Sequence, residues 1–494
     1  MSIVYIRLVG TILFSFVLLA CAHHPVNPPL THYEPDGLFA NDPNSPSGNS
    51  DELLVILTFS GGGARASALS YGVLEELADT IIQVKGHDQR LLDEVDMISS
   101  VSGGSFTAAY YGLFGERIFV DFEQRYLKKD VERALNLRMF SPVNWIRLAS
   151  PYFHRSELAA EYYDKYIFDG GTFADIYANG TPVIINATNM TQETRFGFDQ
   201  EQFSWICSDL MRLPVSRAVA ASSAVPVFLS PVTLRNYAGT CDYQPPDRIQ
   251  HILQTNQFSS REYHQAAAMA SYLNREEQPY IHLYDGGLSD NLGLRSVIDS
   301  IILSGGAPRA VLQSERLSQT QKVIFIVVNA QTKPDTREAQ SARGPSISAV
   351  IKSAISVPLN RYNFETIALL SSSFEDWKKQ ISEARCSGEI QSPDPGCEDI
   401  FFYLVEVSFD ALTDVREQAY LKGLSSSVSL PNEAIDRLRA AARQILSESD
   451  EFQAFLQNVR SAEPVTETQM QSDIFPTPRN PRLKALPHAG FKGK

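Results

Sequence analysis

Leu53-Leu54-Val55-Ile56-Leu57-Thr58-Phe59 (53–59), followed at once by Ser60-Gly61-Gly62-Gly63-Ala64-Arg65-Ala66 (60–66), is the stretch that decides the fold. A short apolar run with no polar alternation is the pattern of a strand buried on both faces. A glycine turn follows it, and then a helix-like stretch, ALSYGVLEELADTIIQ (68–83). The same order recurs with the strand VDMIS (95–99), the turn SVSGGS (100–105) and the small and aromatic run FTAAYYGLF (106–114). Strand, turn and helix repeated in this way predict an α/β fold in three layers, with a mostly parallel central sheet covered by helices. Further strands are expected at PVIINAT (182–188), YIHLYD (280–285), VIFIVVNA (323–330) and FFYLVEVSF (401–409). Residues 233–278 and 331–399 carry weaker patterns and are expected as insertions or lid-like decorations, the second with a helical segment, SISAVIKSAI (346–355). Residues 432–459 have the spacing of one terminal amphipathic helix.

Both turns have the composition of chemical sites. A serine at a sharp strand-to-helix turn is held in a strained backbone conformation, and small residues two before and two after let the turn close. Ser102 satisfies this with Ser100 and Gly104, and the helix that follows aims its free N–H groups at the same place. Ser99, Ser100 and Ser105 lack small residues at both flanking positions of such a turn. A plain Ser/Gly turn is the competing reading. Three consecutive glycines, Gly61, Gly62 and Gly63, let backbone N–H groups converge on an anion. That anion is a tetrahedral oxyanion rather than a nucleotide phosphate, because no Gly-Lys-Ser/Thr follows and no dinucleotide glycine spacing is present. Arg65 is expected to brace this loop or meet a phosphate headgroup, with an ordinary surface arginine as the alternative.

Asp285, followed by Gly286 and Gly287, ends the strand YIHLYD. A carboxylate there, uncrowded by its glycines, is placed to act as a general base, although Asp-Gly-Gly alone marks a turn. The ordered set GGGAR (61–65), SVSGG (100–104) and DGG (285–287) resembles the patatin-like phospholipase family. AASSAVPVFLSPV (220–232) and INAT (185–188) are similar to further segments of that family, so the resemblance spans about residues 53–330. Ser100 stands where the family has glycine. The resemblance implies a Ser-Asp dyad with Ser102 as nucleophile, Asp285 as base and the backbone N–H groups of Gly61–Gly63 as oxyanion hole. It implies lipid ester hydrolysis through an acyl-enzyme, with no metal and no organic cofactor. Acyl transfer to an acceptor other than water, or a non-catalytic envelope protein that keeps the fold, are the alternatives. A Ser-acid-His triad is disfavoured: of nine histidines only His488 follows Asp285, and His282, on the same strand, is expected on its other face as a core residue.

Composition bounds the partners. A net charge of −14 argues against nucleic acid and against broad electrostatic adhesion to anionic lipid. Arg7 precedes an apolar run, Leu8 to Ala20, of signal-peptide length that ends Leu18-Leu19-Ala20-Cys21. This resembles a bacterial lipobox and implies cleavage and lipidation at Cys21, with Ala22 implying an outer-membrane lipoprotein. Ordinary secretion, or a periplasmic protein, is the alternative. The four other cysteines admit three pairings, of which Cys207–Cys241 and Cys386–Cys397 are the simplest, and four unpaired thiols are the alternative. The expected organisation is a signal peptide (1–21), a flexible tether (22–50), a catalytic domain (51–330), a C-terminal extension completing the fold (331–461) and a disordered tail (462–494). Oligomeric state and acyl preference are not encoded in any of these motifs.

Overall fold

The computed structural model describes residues 26–33, 49–84, 86–255, 257–306, 318–333, 338–340, 342–390, 397 and 400–460. Cys21 and the tail from 462 lie outside these residues. β1 (Leu53–Phe59) leads into α1 (Ala64–Asp79), a short hairpin of β2 (Ile81–Val84) and β3 (His87–Arg90), then β4 (Val95–Val101) and α2 (Gly103–Phe114). After α3 (Val131–Met139), α4 (Pro142–Leu148) and α5 (Arg155–Tyr166) come β5 (Val183–Asn189), β6 (Thr194–Phe198), α6 (Val215–Ser222), β7 (Val232–Arg235) and β8 (Tyr280–Asp285). The chain closes with α7 (Arg295–Ser304), β9 (Lys322–Asn329), α8 (Ile347–Cys386), β10 (Phe401–Ser408), α9 (Asn432–Ser447) and α10 (Asp450–Arg460).

The main sheet runs β10-β9-β1-β4-β5-β8-β7, with β6 also on β5. The pairs from β10 to β5 are parallel, while β6, β7 and β8 join antiparallel. Alternation along each strand sorts side chains to two cores, the mark of a sheet covered on both sides. Val55, Leu57 and Phe59 of β1 join Ile324, Ile326 and Val328 of β9 in the larger core. Ile56, Val323, Phe325 and Val327 join Leu370 and Trp377 of α8 in the smaller one. The result is a three-layer α/β fold with a mostly parallel central sheet.

Several expectations need correction. The helix ends at Asp79 with Thr80 as its cap, and residues 81–84 pair with β3, where β-branched Ile81, Ile82 and Val84 suit an extended chain. The helical segment at 346–355 is the start of a 40-residue helix containing Pro358. β10, in the C-terminal extension, pairs with β9 and adds a strand to the main sheet, which agrees with an extension that completes the fold. α9 packs on α1 so closely that a Cβ at Gly72 would lie 2.5 Å from the Arg439 carbonyl oxygen. The terminal amphipathic stretch is two helices, α9 and α10. Residues 233–278 contribute β7 and helices at Asp247–Gln254 and Arg261–Ser271 rather than a loose decoration. Residues 26–33 of the expected tether lie against the fold: Asn27 is buried, and its side chain meets Ser208 Oγ (2.8 Å) and both backbone polar groups of Arg235. The Leu30 and Tyr33 N–H groups donate to the carbonyls of Cys207 and Cys241. Those two cysteines are joined by a disulfide, as are Cys386 and Cys397.

Candidate active site

Ser102 stands between β4 and α2 with φ 49° and ψ −115°. A non-glycine residue pays for that conformation with strain, which persists only where the surroundings fix it. Two contacts fix it here. The Ser102 N–H donates to Ser222 Oγ at 2.7 Å, and Ser222 Oγ donates in turn to the Asn186 carbonyl at 2.6 Å. On the other side, Gly103 and Gly104 press against backbone: a Cβ at Gly103 would lie 2.1 Å from the Gly63 oxygen, and one at Gly104 would lie 2.7 Å from the Phe59 oxygen. Ser100 is accommodated because its hydroxyl donates to the Ile184 carbonyl on β5 (3.2 Å).

Asp285 comes to this serine because β8 runs antiparallel to β5, so its last residue sits opposite Ala187 while Val101 sits opposite Asn186. The Ser102 hydroxyl donates to Asp285 Oδ2 at 2.8 Å, and the Gly287 N–H donates to Oδ1 at 2.9 Å. Burial pushes the Asp285 carboxyl up to about 6, against the opposing pull of these two hydrogen bonds. A Cβ at Gly286 would fall 2.2 Å from the Asn186 oxygen, so glycine is required for the close approach of the two strands. No histidine bonds to either residue among the described residues. His282 is exposed on the opposite face of β8, where Nδ1 meets Thr233 Oγ1 at 2.9 Å; it is not the expected core residue, because that face of an edge region is left open to water.

The glycine loop lies beside the serine and is anchored at both ends. The Gly61 N–H donates to the Asn291 carbonyl (2.9 Å) and the Ala64 N–H to the Ser427 carbonyl (2.8 Å). Of the three glycines, Gly61 therefore has its amide committed, while Gly62 and Gly63 have no backbone acceptor among the described residues. Gly103, the residue after the serine, is in the same position and was not singled out by sequence reasoning. Arg65 is buried and braces the loop: Nε donates to the Ala330 carbonyl, Nη1 to that of Leu424 and Nη2 to Ser426 Oγ. Burial lowers its pKa to about 10, so it stays charged at neutral pH. It is neither a surface arginine nor open to a headgroup. The buried Asp290 side chain accepts from the N–H groups of Gly293 and Arg295, holding the turn that carries Asn291.

Sequence reasoning also missed Ser222 and Asn186, whose only signal was membership of the segments AASSAVP and INAT. Ser222→Ala leaves the buried Ser102 N–H without its acceptor, a loss of about 1–3 kcal/mol. We expect a folded protein whose ester turnover falls by tenfold or more (~1.4 kcal/mol per decade), measured as kcat on a soluble ester.

The site is thus a strained serine bonded to a buried aspartate, beside a glycine loop on a mostly parallel sheet. Residues 57–298 match the family model described as patatin-like phospholipase, and the chain carries a domain of that family. Among solved structures, human GIVD cytosolic phospholipase A2 aligns with a TM-score of 0.40 and 13% identity, over 83% of this chain and 60% of that one. The same human enzyme in complex with methyl gamma-linolenyl fluorophosphonate aligns at 0.37, with 13% identity over 83% and 59%. This chain thus spans about 60% of the length of those proteins. No curated protein matches it.

Proposed function

We propose that the protein is a lipid acyl hydrolase working through a Ser102 acyl-enzyme. The observation that carries the reading is the 2.8 Å hydrogen bond from Ser102 to a buried carboxylate inside a patatin-like domain. Asp285 takes the hydroxyl proton as Ser102 Oγ attacks the ester carbonyl carbon. The oxyanion is held by the N–H groups left open in the glycine loop and at Gly103, with the N-terminus of α2 behind them. The proton passes from Asp285 to the departing alcohol oxygen as the carbon–oxygen bond breaks. Water then attacks the acyl-enzyme, giving its proton to Asp285, and the fatty acid leaves as the Ser102 hydroxyl is restored. Membrane lipid is the substrate class, and acylation of Cys21 anchors the protein in the cell envelope.

The test is hydrolysis of a fluorogenic phospholipid and a short p-nitrophenyl ester, together with labelling by a fluorophosphonate. A single adduct on the peptide containing Ser102 is expected, with loss of turnover in proportion. An adduct on another serine, or an inert enzyme, overturns the reading. Preferred transfer to an added alcohol would instead favour the acyltransferase alternative. The base must be ionised, so kcat/KM is expected to fall tenfold per pH unit as pH drops below about 6. A pH profile flat down to pH 4 would exclude Asp285 as the base.

A further inference from the structure

We propose that α3 and α4, with the loop 225–229, form a docking surface for an anionic lipid bilayer at the mouth of the Ser102 site. The outer side of this helical pair is apolar and open to water. Leu137, Phe140, Val143, Trp145 and Ile146 are all exposed, from 48% at Ile146 to 70% at Val143. Beneath them lies only a small separate core of Phe153 and Leu158, with Met139 and Leu148 packed on it. An exposed apolar patch of this kind on one short stretch of chain marks an interaction site.

Charge selects the partner. In a protein of net charge −14, residues 128–155 hold six Lys and Arg against two acidic residues. Lys129, Arg133, Arg138 and Arg155 have no carboxylate partner among the described residues. Exposed apolar side chains including a tryptophan, with cations that lack a carboxylate partner on the same stretch of chain, are the make-up of a helix that lies in a bilayer interface beside anionic headgroups.

Both ends of the surface are tied to the catalytic site. At the start of α3 the Glu132 N–H donates to Ser429 Oγ, and the Ser427 carbonyl two residues earlier accepts from Ala64 beside the glycine loop. At the far end Arg155 donates to the Phe228 carbonyl (3.0 Å), in a loop where Phe228 is 74% exposed. That loop follows Ala224, whose carbonyl accepts the Asp285 N–H. On a third side, Leu359 of α8 reaches Gly287, and Val357 beside it is exposed. Exposed apolar segments on three sides are thus each joined through a contact to residues next to the dyad or the glycine loop.

The proposal deepens the hydrolase reading only in its activity arm; docking itself can be measured without catalysis. Trp145 is the exposed tryptophan of the three in the chain, since Trp205 and Trp377 are buried. The full chain carrying Ser102→Ala is mixed with phosphatidylethanolamine–phosphatidylglycerol vesicles, with and without bromine on the acyl chains. Trp145 emission is expected to shift to shorter wavelength and to be quenched by the brominated lipid, a signal that Trp145→Phe removes. Emission that is the same with and without bromine overturns docking. So does a shift that follows protein concentration rather than lipid, which would mean a second copy covers the patch. In the active chain, Val143→Asp with Ile146→Asp is expected to cut vesicle lipid hydrolysis by about tenfold or more while soluble ester turnover stays within about twofold. Equal loss on both substrates overturns the proposal. If the wild type cleaves neither substrate the hydrolase reading fails, and the bromine arm still decides docking.

Discussion

Asp285→Asn is expected to lower ester turnover by about four orders of magnitude and, at pH 8, to make the folded protein more stable. The activity loss follows because an amide cannot take the Ser102 proton. The stability gain follows from burial. The carboxyl titrates near 6 in the folded protein, against 3.8 for an unperturbed aspartate. A raised pKa of this kind contributes stability below about pH 4 that is lost as pH rises through about 6. Above pH 6 the ionised side chain therefore weighs against folding by roughly 2–3 kcal/mol. Asparagine keeps an acceptor for the Gly287 N–H and carries no charge. Thermal melts should show the variant above the wild type at pH 8 and level with it near pH 4. A variant less stable at both values would mean that the carboxylate is well solvated. Ser102→Ala should lose activity to a similar degree yet push the Asp285 carboxyl higher, since it removes a hydrogen bond that favours the ion. Stability held back at a site for the sake of its chemistry is the usual trade in enzymes.

Gly103→Ala is the second large effect. Its Cβ would meet the Gly63 oxygen at 2.1 Å and nitrogen at 2.6 Å, both backbone atoms, so no side chain can turn away. The elbow and the glycine loop must separate to admit one methyl group. Overpacking of this type costs about 1–3 kcal/mol or more, and it falls on the two segments that must stay in register for oxyanion binding. We expect a lower melting temperature and turnover reduced by at least about a hundredfold, the scale for loss of one oxyanion donor. Gly344→Ala, where a Cβ has open space, is the control and should leave both unchanged. Equal behaviour of the two variants would show that the elbow does not rest on the loop.

β1 and β9 were legible because both their faces are buried, whereas β8 is buried on the face that carries Asp285. β1 and β8 fall at the predicted residues, and β4, β5, β9 and β10 within two residues at either end, since an unbroken apolar run has few other uses. The closeness of Ser102 to Asp285 was not legible from strand patterns: it depends on β8 running against β5, which nothing in YIHLYD reveals. Family resemblance supplied that pairing. The role of Ser222 was hidden because a serine that serves a backbone N–H looks like any other serine in a row of small residues. Arg65 appeared ambiguous because its three acceptors lie at Ala330, Leu424 and Ser426, far along the chain. Helix α8 was hidden by Pro358, which removes a hydrogen bond and normally ends a helix. Pro-rich composition likewise disguised 26–33, whose order comes from bonds made at Ser208, Arg235 and Cys241 rather than from any local preference.

That pinned segment sets the length of a leash. Only five residues separate Cys21 from Asn27, where the fold takes hold of the chain. Six Cα steps at full stretch reach about 20 Å, less than the width of a domain this size. If Cys21 is acylated as proposed, the protein could not drift above the bilayer or turn freely over it. It would pivot from one corner, held at a fixed height while anchor and lipid move laterally beneath it.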